Sequence, residues 1–321
     1  MLRFFSFLVA VVGICLNSPT VATENYPSRM VRIIVGFPPG SSADILGRVY
    51  AQHLGEHFGQ TFVVENKPGA ASNIATEFVV RSKPDGYTIG IGSTANTISA
   101  NALKLQFNFG EDLAPIAAFA DGPIILMVAS NLGISNVKEF IKYAKERPGK
   151  VAFGSSGTWS APHMAGEQFS LATGVDLSFV PYQGVPAAIS DLLGGQIPAV
   201  FATAPTAAGY VNDARVKLLA VTSKERTSLI PSVPTMMEEG VEAVDTSIWY
   251  GFFAPEATPL SVRKTLAKAI EKINQLPSVK QALTRNGADP VFIPLDALQS
   301  HVKTDLARWR SVTDRVKAKL N

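Results

Sequence analysis

Cysteine is almost missing from this chain: Cys15 is the only one among 321 residues. Disulfide frameworks and thiolate-held metals therefore lack their ligands. Charge is scarce too, at 17% of residues, and the net charge is only +3. No run of Lys and Arg exceeds two residues. A basic stripe that could track a phosphate backbone is absent, so no nucleic-acid partner is expected. Beyond the N-terminus no apolar run reaches the roughly 18 residues needed to span a bilayer. What the chain does have is 46% hydrophobic residues and a length that suits two domains of ordinary size, each with its own core.

The N-terminus reads as an export signal. Arg3 gives a positive start, residues 4–16 form an almost unbroken apolar run, and Thr20-Val21-Ala22 supply small residues for cleavage near Ala22. The apolar run is too short for a spanning helix. A retained anchor is one alternative. A lipoprotein signal at Cys15 is another, though Ile14 stands where that signal needs a small residue. Loss of residues 1–22 would release a cysteine-free protein into the periplasm, stabilised by its core alone.

Downstream, short apolar runs alternate with amphipathic stretches. The pattern predicts strands over 31–37, 61–65 and 87–92, and helices over 42–58 and 73–83. It resumes with strands over 124–129, 151–154, 177–181, 199–202 and 218–222. Helices are predicted over 137–147, 160–173 and 186–194, and two more near the C-terminus over 261–276 and 295–319. Alternation of this kind signals parallel sheets flanked by helices, here in two α/β lobes.

Small-residue loops follow the strands. They are Pro38-Pro39-Gly40-Ser41-Ser42, Gly69-Ala70-Ala71-Ser72-Asn73, Gly92-Ser93-Thr94, Ser155-Ser156-Gly157-Thr158 and Tyr182-Gln183-Gly184. Loops at the carboxyl ends of strands line the ligand crevice of an open α/β sheet. Most of these lead into a helix, whose first turn carries unpaired N–H groups and partial positive charge. Small side chains let an anion approach those donors. Any single loop is equally well ordinary turn chemistry; five at matching positions point to a carboxylate trap.

Together and in order, several segments resemble one family, the Bug-type solute receptors of tripartite tricarboxylate transporters. They include Tyr26-Pro27-Ser28-Arg29, Phe37-Pro38-Pro39-Gly40 with Asp44, Val64-Glu65-Asn66-Lys67-Pro68-Gly69-Ala70 and Lys83-Pro84-Asp85-Gly86-Tyr87-Thr88. Gly154-Ser155-Ser156-Gly157 with His163, Val180-Pro181-Tyr182-Gln183-Gly184, Asp191-Leu192-Leu193-Gly194-Gly195-Gln196, Val233-Pro234-Thr235 and Trp249-Tyr250-Gly251 continue it. The resemblance implies a two-lobed periplasmic-binding-protein fold of the Venus flytrap type. Residues 23–123 and 249–321 would form one lobe and 124–248 the other. It further implies a small organic carboxylate as ligand, held by main-chain groups and water, and no catalysis. The expected ligand-facing set is Phe37, Pro38, Pro39, Gly40, Ser41, Ser42, Asp44, Ala70, Ser72 and Ser93 from the first lobe. The second lobe would add Ser155, Ser156, Gly157, Thr158, His163, Tyr182, Gln183, Gly184, Phe201, Ala202 and Thr203. The implied partner is a membrane permease of one large and one small subunit, served by a monomer; a sensor feeding a signalling partner is the alternative. Two departures stand out. Ser41 and Ser42 replace part of a glycine run, and Ala202 stands where the family often has Asp, which disfavours an amino-acid ligand.

Sharper motifs carry less. His53 and His57 have metal-ligand spacing, but no third ligand is identifiable. Gly90-Ile91-Gly92-Ser93-Thr94-Ala95 fits a dinucleotide fingerprint, yet its first glycine lies inside a strand. Ser155 or Ser156 with His163 could suggest a hydrolase, but there is no G-x-S-x-G elbow. No cofactor or metal is expected. Trp249 and Tyr250 are expected to pack at the return crossing between lobes.

Overall fold

The computed structural model describes residues 26–227, 230–242, 244 and 246–320. The export signal expected over residues 1–22 lies outside them. The first series of elements is β1 (Val31–Val35), α1 (Ser42–Phe58), β2 (Phe62–Asn66), α2 (Asn73–Val80), β3 (Thr88–Ser93), α3 (Thr94–Ala102) and β4 (Leu113–Ala129). The second is α4 (Val137–Lys145), β5 (Val151–Ser155), α5 (Ala161–Thr173), β6 (Leu177–Pro181), α6 (Val185–Leu193), β7 (Ala199–Thr203), the single turn α7 (Ala204–Ala207) and β8 (Val216–Val221). The chain then runs through β9 (Ser247–Pro255), α8 (Leu260–Gln275), α9 (Pro277–Arg285), β10 (Asp289–Pro294) and α10 (Leu295–Leu320). No helix among the described residues is long and apolar enough to cross a membrane.

Local chemistry explains the elements. β1 reads Val-Arg-Ile-Ile-Val and buries four of its five residues, as a strand covered on both faces should. α1 stops at Gly59, whose φ of 64° suits a left-handed cap. α4 starts where the Asn136 side chain accepts from the Glu139 N–H, and it buries Val137, Phe140 and Ala144 on one face.

Two sheets share one strand. The first runs β2-β1-β3-β9-β4, with β10 also on β4; the second runs β4-β7-β5-β6, with β8 also on β4. β1 is parallel to β2 and β3, and β5 to β6 and β7. Every pairing of β4 and β9 is antiparallel. The α/β architecture is therefore as expected, but the sheets are mixed rather than mainly parallel. The cause is the return of the chain. β9 runs back beside β4, Gly122 lies opposite Ile248, and Pro123 lies opposite Ser247.

A hydroxyl ties the crossing together. Thr222, fully buried, accepts from the Ile124 N–H at 3.0 Å and donates to the Thr246 carbonyl. Below the crossing the core is aromatic: Phe119 stacks on Phe252 at 4.5 Å, and Tyr50 packs on Phe119 at 4.4 Å. A second apolar cluster gathers Ile125, Val185, Ile189, Val200 and Ala202 around β7.

Candidate functional site

The loops that leave β1, β2, β3, β5, β6 and β7 converge on one cleft. An inner space of about 30 Å³ touches Phe37, Ser41, Ser42, Ser93, Ser156 and Ser160. Thr203, Thr206, Ile248 and Tyr250 also line it. An outer space of about 560 Å³ is bounded by Gly36, Phe37, residues 69–72, 156–158 and 181–183, and Ala187. Phe37 and Ser156 belong to both walls, so the two spaces adjoin. Every residue lining either space is uncharged. The only polarity offered comes from hydroxyls, one amide side chain and the backbone.

The start of α1 supplies the first donors. Ser41 is its N-cap in backbone terms, but its side chain makes no capping bond. The residue is 6% exposed, and its Oγ is buried without a hydrogen-bond partner on the wall of the inner space. Ser42 Oγ is used differently: it meets Thr203 Oγ1, and Thr206 Oγ1 at 3.0 Å. Tyr250, buried beneath it, has its phenol pushed well above the ordinary range by burial, which a hydrogen bond with Ser42 partly offsets.

Asp44 does not face the cleft as a free carboxylate. Its Oδ2 accepts from the Gly40 N–H at 3.0 Å, and its Oδ1 from Arg48 Nη2 at 2.8 Å and Asn66 Nδ2 at 2.9 Å. Burial works against the charge, yet the hydrogen bonds from Arg48, Gly40 and Asn66 hold the carboxyl below its usual range. Asp44 thus shapes the loop that Pro39 and Gly40 expose to solvent.

The loop after β2 is strained. Ala70, Ala71 and Ser72 have φ of 48°, 52° and 77°, a run of left-handed residues without glycine. Ser72 is pressed against Gly36, where an added Cβ would lie 1.9 Å from Ser72 Oγ; only glycine fits there. Ser93 opens α3 with a capping box: its Oγ accepts from the Ala95 N–H while Asn96 Oδ1 accepts from the Ser93 N–H.

The opposite wall comes from β5 and β6. Ser155 and Ser160 both donate to the Gly157 carbonyl, at 3.4 and 2.7 Å. These bonds fold the loop so that Ser156, Gly157 and Thr158 face the outer space. Tyr182 donates to Asp191 at 2.8 Å, and burial together with that carboxylate pushes its phenol up to about 12. Gln183 is exposed at the rim. Gly184 approaches Pro38 so closely that a Cβ would sit 3.2 Å from the proline ring, which brings the β6 and β1 loops into contact.

Five expected residues, Asp44, Ser155, Phe201, Ala202 and His163, sit behind the walls rather than on them. Phe201 and Ala202 are fully buried inside β7, with Ala202 in the second apolar cluster. A carboxylate at 202 would therefore face the core, and Thr203 is the residue of this strand that reaches the cleft. His163 is fully buried on α5, with its ring on Phe179 at 4.0 Å. Thr206, Ile248 and Ser160 were not singled out as ligand-facing from the sequence, because nothing in composition or spacing marks a hydroxyl or Ile as cleft-lining. Tyr250 does pack at the crossing, and it also lines the inner space.

Known proteins share this fold. The family model described as Tripartite tricarboxylate transporter family receptor matches residues 46–317. Protein BugT of Bordetella pertussis is 32% identical over 320 residues, covering 98% of each chain. The solved periplasmic binding protein BugD superimposes with a TM-score of 0.85 at 31% identity, covering 90% of this chain and 98% of that one. An R. palustris protein solved with adipate gives 0.87 at 31% identity, over 90% and 97% of the two chains. MatC from Rhodopseudomonas palustris, solved with bound malate, gives 0.84 at 25% identity, over 90% and 100%. The family match over most of the chain and these likenesses lead to one assignment: the chain belongs to the tripartite tricarboxylate transporter receptor family, the periplasmic solute-binding proteins of the Bug type.

Proposed function

We propose that this chain captures a small organic carboxylate between two lobes, residues 23–123 with 249–321 and residues 124–248, and releases it unchanged. The observation that carries this reading is the orphaned Ser41 hydroxyl, buried at the start of α1 and turned to an uncharged cleft. A buried hydroxyl without a partner costs free energy unless a guest supplies one. An anion at that point would also meet the first-turn amides of α1 and gain from the helix dipole. The adipate and malate seen in two relatives favour a carboxylate of a few carbons. The second wall would add donors from residues 156–158 on closure, which requires that the guest bind the closed form better than the open one. The family assignment supports delivery to a membrane transporter; we extend the reading to a permease of one large and one small subunit, served by a monomer exported to the periplasm.

The test is a thermal-shift screen of di- and tricarboxylates, aromatic acids and amino acids against the mature protein, followed by small-angle scattering. A ligand at a hundredfold excess over its Kd stabilises the native state by about 2.7 kcal/mol, a shift of several degrees. At least one plain carboxylate should raise Tm and shrink the radius of gyration. No shift with any acid, or a guest recovered as a different molecule, sinks the reading.

A further inference from the structure

The loop that forms the second wall contains a residue in a conformation it does not choose by itself. Trp159 has φ of 64°, in the left-handed region that bulky L-residues avoid. It is nevertheless 8% exposed and fixed. What holds it is the side chain of His163: the Trp159 N–H donates to His163 Nδ1 at 3.1 Å, inside the protein. A ring nitrogen can accept only with a free lone pair, so Nδ1 is unprotonated and the ring proton sits on Nε2. Glu167, one turn further along α5, places its Oε1 3.8 Å from that Nε2, and both side chains are almost completely buried. A carboxylate on that side favours the same tautomer. Phe179 lies against the ring at 4.0 Å and Trp159 meets it edge-on at 5.9 Å, which fixes its plane.

We infer that His163 is a positioning residue: its Nδ1 lone pair holds Trp159 in the left-handed turn and so aims residues 156–158 into the cleft. The inference rests on the reading of that loop as a ligand wall, and it assigns the histidine no contact with the guest. The geometry is directional. Asparagine presents Oδ1 close to where Nδ1 lies and can replace the acceptor. Phenylalanine keeps the aromatic packing and loses the acceptor.

The experiment uses the full mature chain. In the ligand-free protein, nitrogen NMR should show His163 with Nδ1 unprotonated and Nε2 carrying the proton. The Trp159 amide should exchange with solvent at least tenfold faster in His163→Phe than in wild type, and within threefold of wild type in His163→Asn. Adipate, used as the probe, should bind His163→Phe at least tenfold more weakly than His163→Asn. A protonated Nδ1, or an amide as protected in the Phe variant as in wild type, overturns the inference. If the tautomer and the exchange pattern appear while wild-type protein takes up no acid in the screen above, the receptor reading fails and the loop anchor stands.

Discussion

Ser41 is the residue at which sequence and site meet. The sequence shows it as a hydroxyl at the start of a predicted helix, but only the structure shows that its Oγ has no partner. Replacing it by Ala removes a buried unsatisfied group, so Ser41→Ala should melt no lower than wild type. The same change removes a donor to a charged guest, worth about 1.5–3 kcal/mol, so Kd should rise roughly tenfold or more by calorimetry. A second residue-scale effect concerns acid. Asp121 and Asp289 lie opposite each other on β4 and β10. Burial, with the charge of Asp289, pushes Asp121 up to about 6, and burial raises Asp289 as well. For an acid whose folded pKa is raised, the native state holds the proton more tightly. Stability is then greatest below the unfolded value near 4 and is lost as pH rises through about 6. Asp121→Asn should stabilise the protein at pH 7 by roughly 1–2 kcal/mol, allowing for its partial exposure, and flatten the Tm–pH curve between pH 4 and 6. Scanning calorimetry across that range checks both. Neither carboxylate stood out in the sequence, because their pairing depends on the register of two strands 168 positions apart.

Among the elements, those with clear hydrophobic period were legible and those without it were not. The strand over 124–129 is an apolar run that any reading finds. Its continuation back to Leu113 is written Leu-Ala-Pro-Ile-Ala-Ala-Phe-Ala-Asp-Gly-Pro, where small residues and two prolines erase the period although nearly all of it is buried. α3 spells Thr-Ala-Asn-Thr-Ile-Ser-Ala-Asn-Ala and buries most of its polar side chains in hydrogen bonds to Thr76 and Asn73 of α2 and Asp305 of α10, so it resembles a loop in sequence. β10 begins Asp-Pro and ends in Pro, which argues against a strand by itself. The turn before it carries a testable constraint. Gly287 has φ of 74°, and a Cβ there would lie 2.5 Å from the Ala204 carbonyl. This is where the turn between α9 and β10 meets α7. Gly287→Ala should cost about 2–3 kcal/mol, combining left-handed strain with displacement of that backbone, and should lower the urea midpoint without changing the slope.

At the scale of the whole molecule, two α/β units could be read from the alternation, but not the strand they share. The expected parallel sheets became mixed because one long strand serves both and the returning strand lies beside it, a fact of chain path rather than of local composition. The lining of the cleft was legible where small residues follow strands. Asp44, Ser155, Phe201, Ala202 and His163 lie off that lining, turned into the protein by hydrogen bonds or packing. The uncharged cleft has a consequence for how binding responds to dissolved salt. Its grip would come from fixed dipoles rather than from lysine or arginine, so mobile ions have no protein counter-charge in the cleft to compete for. Binding measured by calorimetry at low and at high sodium chloride should therefore lose less affinity than a site built on lysine or arginine would.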